Sequence, residues 1–240
     1  MSIFVGVAGW SIPSAFAGRF PSAGTHLERY GACFSAVEIN SSFYRPHRRT
    51  TYERWAASVP SGFRFSVKLP KAITHEHRLK DCEALIDRFA EESSGLGDKR
   101  GPILVQLPPS LAYPGETAER FLDALQAAIK GAVVLEPRHA SWFRPEVDHM
   151  LEQRRVSRVA ADPAKPALAA QPGGWRGLAY FRLHGSPRIY ESLYGRDAVQ
   201  DHAKRVAALA THGRDTWTIY DNTTHGAATQ NAFELMDAVR

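Results

Sequence analysis

Ile103-Leu104-Val105-Gln106-Leu107-Pro108-Pro109, then a helical stretch, then Ala132-Val133-Val134-Leu135-Glu136: residues 103 to 136 decide the fold class. The two outer pieces are short apolar runs, as expected of strands covered on both faces. Between them Phe121, Leu122, Leu125 and Ile129 line one face of a helix. The same alternation extends in both directions. Strand candidates are Ile3–Gly9, Ala36–Ile39, Phe63–Leu69, Ile103–Leu107, Ala132–Glu136, Val156–Asp162, Leu178–His184 and Thr216–Asp221. Helical spacing recurs in Cys82, Leu85, Ile86 and Phe89; in Val147, Met150 and Leu151 after Pro145; in Val199, Ala203, Val206 and Ala207; and in Ala228, Ala232, Leu235, Met236 and Val239. Pro145 suits a first helical position.

Eight strand-then-helix units in 240 residues predict an α/β fold, a (β/α)8 TIM-type barrel forming a single domain over 1–240. A doubly wound open sheet is the competing architecture. The first strand, however, runs into Gly9-Trp10-Ser11-Ile12-Pro13, which matches neither a dinucleotide fingerprint nor a P-loop. One unit is irregular, the one between strands 6 and 7. Pro163, Pro166, Pro172, Gly173 and Gly174 argue against a full helix there.

Hydrophobic residues make up 44% and charged residues 23%, values of a folded globular chain rather than a disordered one. No apolar run approaches the ~20 residues of a membrane span, and the N-terminus has no signal-peptide pattern, so a cytoplasmic protein without a membrane partner is expected. Two cysteines make no disulfide framework. Cys33 and Cys82 both read as buried thiols.

The net charge is +5, and it is unevenly placed. Between Phe43 and Lys80 stand nine basic residues (Arg45, Arg48, Arg49, Arg54, Arg64, Lys68, Lys71, Arg78, Lys80) against Glu53 and Glu76, a local charge of +7. The remaining 21 basic and 23 acidic residues leave the rest of the chain at −2. On a barrel this segment is expected to give the rim around strands 2 and 3 an electropositive, anion-attracting character.

Barrel chemistry sits where strands end and the following loops begin. Those ends carry Trp10 and Ser11; Glu38 and Asn40; Lys68; Gln106; Glu136, Arg138 and His139; Asp162; Arg182 and His184; and Tyr220, Asp221 and Asn222. Side chains two apart on a strand point the same way, so Glu38 goes with Asn40, Glu136 with Arg138, and Arg182 with His184. If Tyr220 and Asn222 face inward, Asp221 faces the helices. Charges gathered in one mouth are costly unless paired or hydrated, which makes the group a candidate site. Loop aromatics, Trp10, Phe43, Tyr44, Trp142, Phe143, Tyr190 and Tyr194, suit stacking on a ligand or folding over the rim as lids.

Several segments together resemble a known family. They are Val37-Glu38-Ile39-Asn40-Ser41-Ser42-Phe43-Tyr44, Trp55, Phe63 to Lys71, Leu104-Val105-Gln106-Leu107-Pro108-Pro109, Glu136-Pro137-Arg138-His139-Ala140-Ser141-Trp142, Tyr180-Phe181-Arg182-Leu183-His184-Gly185 and Tyr220-Asp221-Asn222-Thr223. From Gly6 to the last helix the chain is similar to the domain of unknown function 72, or YecE-like, family. The resemblance implies a single TIM-type barrel. A comparison of the family's barrel with endonuclease IV implies nucleic-acid binding. The motifs here do not align with that enzyme's histidine-rich pattern, so no metal ligands carry over.

The residue chemistry points first to a phosphorylated or otherwise anionic ligand, a small molecule or nucleic acid, with hydrolysis as an extension. Lys68, Arg138 and Arg182 would hold anionic oxygens. His184 would transfer protons, and Glu136 would orient Arg138 or act as a base. Glu38, Asn40, Tyr44, Gln106 and Asn222 complete the expected lining. A divalent metal is a variant, with Glu38, Glu136, Asp162, His139 and His184 as ligand types. No H-x-x-x-H or C-x-x-C spacing supports it, and the nearby arginines and lysine oppose a cation. A non-catalytic anion- or protein-binding module and a glycoside hydrolase using Glu38 and Glu136 stand as alternatives.

Overall fold

The computed structural model describes residues 2–240. The strands are β1 (Ile3–Val7), β2 (Ala36–Ile39), β3 (Arg64–Lys68), β4 (Arg100–Gln106), β5 (Val133–Glu136), β6 (Val156–Arg158), β7 (Ala160–Asp162), β8 (Gly173–Gly174), β9 (Leu178–Leu183) and β10 (Asp215–Tyr220). The helices are α1 (His26–Gly31), α2 (Arg49–Ala57), α3 (Glu83–Ser93), α4 (Glu116–Ala128), α5 (Pro145–Gln153), α6 (Arg196–Thr211) and α7 (Ala227–Ala238). Local sequence explains the starts of two of them. Thr25 and Glu28 form a reciprocal capping box on α1, and Pro145 opens α5 at its first turn. Helix α4 buries Phe121, Leu122 and Leu125, each worth about 1.5–3 kcal/mol of burial.

Two sheets carry the strand order β1-β10-β9-β7 and β2-β3-β4-β5-β6-β8, parallel except for the short β6–β8 pair. Together they make the round of a TIM-type barrel with two seams. At the first, the expected single strand Val156–Asp162 is divided at Val159. Its first half pairs with β5 and its second with β9. The chain runs through this seam, and the Val159 amide still donates to Leu135 (2.9 Å).

The second seam lies between β1 and β2, and a side chain does the work of a ladder there. The Val7 amide donates to the Tyr30 hydroxyl (2.9 Å), which donates to the Ala36 carbonyl (2.9 Å). Beyond it, Ala8 bridges Glu38, and the Gly9 amide donates to the Glu38 carbonyl (2.9 Å). The strands come so close that a Cβ at Gly6 would collide with the Ala36 carbonyl. Tyr30→Phe is expected to leave one buried amide and one buried carbonyl unpaired, and to cost about 1–3 kcal/mol. Urea unfolding checks this; a loss below about 0.5 kcal/mol would show that the seam holds without the hydroxyl.

The irregular unit is as expected. Residues 163 to 177 form a 3-10 turn (Ala167–Ala170) and β8 in place of a helix. This leaves a cleft of about 280 Å³ on the outer face of β7 and β9, beside α6. Apolar residues split by strand face. Val37, Ile39, Val67, Val105 and Leu135 pack outward in the large core shared with most of the helices. Ala36, Leu104, Val134, Val159, Leu178, Tyr180, Trp217 and Ile219 fill the barrel interior. Cys82 is buried; Cys33, just past α1, is only half-buried, a correction to the expected burial of both. No helix among the described residues is long and apolar enough to cross a membrane.

Candidate functional site

The period-two rule, followed up β9 from the apolar interior, runs Leu178, Tyr180, Arg182, His184. Below Arg182 the interior is largely apolar, with the Tyr180 and Ser66 hydroxyls at its upper edge; from Arg182 upward it is charged. Neighbouring strands bring Glu38, Lys68, Glu136 and Asp221 to the charged end, with Ser66 one step below Lys68, all buried.

Arg182 is the centre. Its Nη2 donates to Glu38 Oε1 (2.8 Å) and Asp221 Oδ2 (2.9 Å), its Nε to Glu38 Oε2 (3.0 Å), and its Nη1 to Glu136 Oε2 (2.7 Å). Three carboxylates on three strands thus converge on one guanidinium that is 1% exposed. His184 lies above it, Nδ1 at 3.0 Å from Asp221 Oδ2 and Nε2 at 2.9 Å from Glu136 Oε1. Arg138 reaches in from the rim. Its Nη2 donates to Glu136 Oε1 (2.6 Å) and lies 2.9 Å from His184 Nε2. Below, the Tyr180 hydroxyl donates to Glu38 Oε2 (3.0 Å) and lies 2.8 Å from Ser66 Oγ.

These contacts set the ionisation. Burial pushes Glu136 up, but Arg182, Arg138 and His184 outweigh it and hold the carboxyl well below the usual carboxylate range. Asp221 follows the same balance, raised by burial and lowered further by Arg182 and His184. Burial, then the Glu38 charge, lifts the Tyr180 phenol well above its ordinary value.

Lys68 is different. It is 6% exposed, yet among the described residues no carboxylate or carbonyl lies within bonding reach of Nζ. The ammonium instead sits over the Phe43 ring, 4.1 Å from its centre. Burial, then Arg182, pushes its pKa down to about 8 against the pull of Glu38, Glu136 and Asp221. Other lysines are served: Lys99 donates to the carbonyls of Ala56 and Val59, and Lys71 pairs with Glu76. Two more groups at the mouth keep spare capacity, Arg138 Nε and Asn40 Oδ1, both buried and without partners. Gln106 ends β4 in register with Glu136 and is half-buried.

The roof is aromatic. Phe43 covers Lys68, and the Tyr190 ring stands perpendicular to His184 at 5.9 Å. Tyr190 holds a left-handed φ of 70°, a conformation that costs a non-glycine residue about 1 kcal/mol or more. Its amide donates to the His184 carbonyl (2.5 Å). Tyr44, beside Phe43, is 70% exposed.

The structure brings together Glu38, Lys68, Glu136, Arg138, Arg182 and His184, with Asn40, Gln106 and Tyr44 at the strand end or rim. It places three others elsewhere. Asn222 turns from the mouth and donates to the Ser192 carbonyl (2.8 Å) and Asn231 Oδ1 (3.1 Å) of α7. Asp221 therefore faces inward, the reverse of the expected phase. His139 caps the turn Ala140–Phe143 through Nδ1 and the Ser141 amide (3.2 Å). Asp162 accepts from the Tyr194 hydroxyl (2.6 Å) beside the outer cleft. The metal variant thus loses His139 and Asp162, and Glu38 and Glu136 already clasp Arg182. No cluster of three His, Cys, Asp or Glu suited to a metal occurs among the described residues.

The basic segment is divided too. Arg45, Arg48, Lys71, Arg78 and Lys80 follow β2 and β3 as expected, but Arg49 and Arg54 lie on α2. Arg64 begins β3, at the end of the barrel opposite the mouth. Arg182, expected to hold ligand oxygens, has its donors committed to carboxylates. Tyr180 and Ser66 were missed by sequence reasoning. The period-two rule, applied one step below Arg182 and Lys68, finds both.

The model of a family described as protein of unknown function DUF72 matches residues 4–240. The UPF0759 protein YecE of Escherichia coli K12 is 32% identical over 178 residues, covering 71% of this chain and 62% of that protein. The chain therefore aligns with less than two thirds of that relative's length. The UPF0759 protein YunF of Bacillus subtilis is 21% identical, covering 98% of this chain and 94% of its own. Among solved structures, a DUF72 family protein from Enterococcus faecalis superposes with a TM-score of 0.82 at 20% identity, over 99% of this chain and 95% of the other. One from Thermotoga maritima gives 0.80 at 23%, over 99% and 98%. A sugar phosphate isomerase/epimerase from Parabacteroides distasonis gives 0.53 at 11%, over 98% and 95%, a likeness of fold alone. With its family match running from residue 4 to the last residue, this chain belongs to the DUF72 family, on a TIM-barrel scaffold whose strand ends carry the arginine–carboxylate cluster.

Proposed function

We propose that the barrel mouth binds a small anionic ligand, a phosphate ester or carboxylate, through Lys68 and Arg138, with Asn40, Gln106 and Tyr44 at its edge. The observation that carries this reading is Arg138 Nε, a buried donor without an acceptor, together with Lys68, a largely buried lysine whose amine has no ion pair. Buried donors normally have partners, and charged ones above all. An anionic oxygen between them supplies what the protein does not. The positive loops after β2 and β3 favour its approach.

Glu136 and His184 act on this ligand through Arg138. Glu136 anchors Nη2 at 2.6 Å, and His184 Nε2 lies 2.9 Å from the same atom. Both are positioning residues in this reading. Hydrolysis has less support, since Glu136 is held ionised and His184 has hydrogen-bonding neighbours on both ring nitrogens. A carboxyl kept ionised also makes a poor glycosidase acid. The roof of Phe43 and Tyr190 favours a small molecule over a polymer.

Calorimetry with inorganic phosphate and glycerol phosphate tests the reading across a salt series. Binding is expected to weaken with salt, and Arg138→Gln to weaken it about 10- to 100-fold, the worth of one charged hydrogen bond. Affinity unchanged in that variant, or no binding at millimolar ligand, would end the reading. An oligonucleotide that binds more tightly than either phosphate, with a steep salt slope, would replace it with a nucleic-acid site.

A further inference from the structure

We propose that Lys68 is an imine-forming residue, whose amine, alone at the end of β3 against the Phe43 ring, condenses with the carbonyl of an anionic small molecule in the mouth. This rests on the anion-binding reading and adds a covalent bond to it.

The argument starts from the amine's isolation. A lysine kept for stability is paired or hydrogen-bonded, as Lys71 is by Glu76 and Lys99 by two carbonyls. Lys68 is 6% exposed with neither, and its neighbour is the flat face of an aromatic ring. That is the desolvated setting in which a lysine becomes a nucleophile, because burial disfavours the ammonium.

The charged groups around it come from every side: Arg182 on β9, Glu38 on β2, Glu136 on β5 and Asp221 after β10. His75, in the loop after β3, meets the same Phe43 ring at 5.0 Å. Burial and Arg182 outweigh the carboxylates and bring the pKa to about 8. Roughly a tenth of the amine is then neutral at pH 7. Arg138, with Nε free, would hold the ligand's anionic group. The substrate class is therefore a small aldehyde or ketone that also bears a phosphate or carboxylate.

The step balances without a redox partner. The ammonium gives its proton to solvent. The nitrogen lone pair attacks the carbonyl carbon, and the C=O π pair moves to oxygen, which takes up a proton. The nitrogen then gives up one proton, the hydroxyl takes up one, and the freed nitrogen lone pair drives that oxygen out as water. In sum, R–NH3+ and O=C give R–NH+=C and H2O.

Reductive trapping on the full chain tests this. The protein is incubated with glyceraldehyde 3-phosphate, or with unphosphorylated glyceraldehyde, in the presence of cyanoborohydride, and the modified peptides are mapped by mass. One adduct is expected, on Lys68, forming at least tenfold faster with the phosphorylated aldehyde and suppressed by inorganic phosphate. Lys68→Arg, with its fold verified by circular dichroism, should lose it. Labelling spread over exposed lysines such as Lys80 and Lys204, with none on Lys68, would overturn the inference. Phosphate binding by calorimetry on the same preparation separates the two ideas. Binding without the adduct removes the imine and leaves the anion site. An adduct on Lys68 that forms equally fast with both aldehydes keeps the imine and removes the anion site.

Discussion

Arg182→Met is expected to lower the melting temperature by at least about 6 °C, and to unfold the protein outright if its reserve is small. Removing one partner of a buried ion pair costs about 3–5 kcal/mol, because the other charge stays buried and alone. Here the loss is threefold: Glu38, Glu136 and Asp221 would face one another around an apolar side chain. A domain of this size shifts by about 2–4 °C per kcal/mol, and whole-protein stabilities are only about 5–15 kcal/mol.

The pH response of this variant should have the opposite sign to that of wild type. In the native cluster the Glu136 and Asp221 pKa values are depressed. Their contribution is therefore full above the unfolded-state carboxylate range and is lost as pH falls through the folded values. Without Arg182 the crowded carboxylates prefer their protons, so the variant should gain stability on mild acidification, from pH 7 towards 5. Thermal scans across that range check both parts. A melting temperature within about 2 °C of wild type at pH 7 would show that the cluster is dispensable to the fold.

Lys68→Met is expected to do the reverse: raise stability at pH 7 and abolish phosphate binding. A folded pKa of about 8 against an ordinary 10.5 makes the buried ammonium a burden of about 3 kcal/mol at neutral pH, as an upper value. Methionine fills much the same space against Phe43 without the charge. The folded pKa is lowered, so the unfolded chain binds more protons between pH 8 and 10.5, and wild-type stability rises through that window. The gap between variant and wild type should therefore close as pH climbs from 8 to 10.5. Denaturant unfolding at pH 7 and at pH 10, paired with calorimetry, reads both effects. Should the variant be less stable than wild type at pH 7, Lys68 would be a structural member of the cluster rather than a group held in reserve for a ligand.

The sequence by itself determined the scaffold and much of the candidate site. Period two along a strand and 3.6 along a helix are local, so all eight strand positions and the prolines that interrupt one unit could be read without distant information. The same rule joined Glu136 to Arg138 and Arg182 to His184. Tertiary structure alone decided the rest. Alternation fixes the relative phase within one strand but not its absolute phase, and so Asp221, not Asn222, turned inward. Charge counts along the chain do not know which end of the barrel a residue occupies, and Arg64 lies at the wrong one. Nor could spacing say which charges cancel. Glu38 and Arg182 are 144 residues apart, and only barrel closure brings them to 2.8 Å. That closure commits Arg182 to the fold and leaves Lys68 and Arg138 Nε unpaired, a distinction invisible in a line of basic residues because it depends on three-dimensional distance and burial.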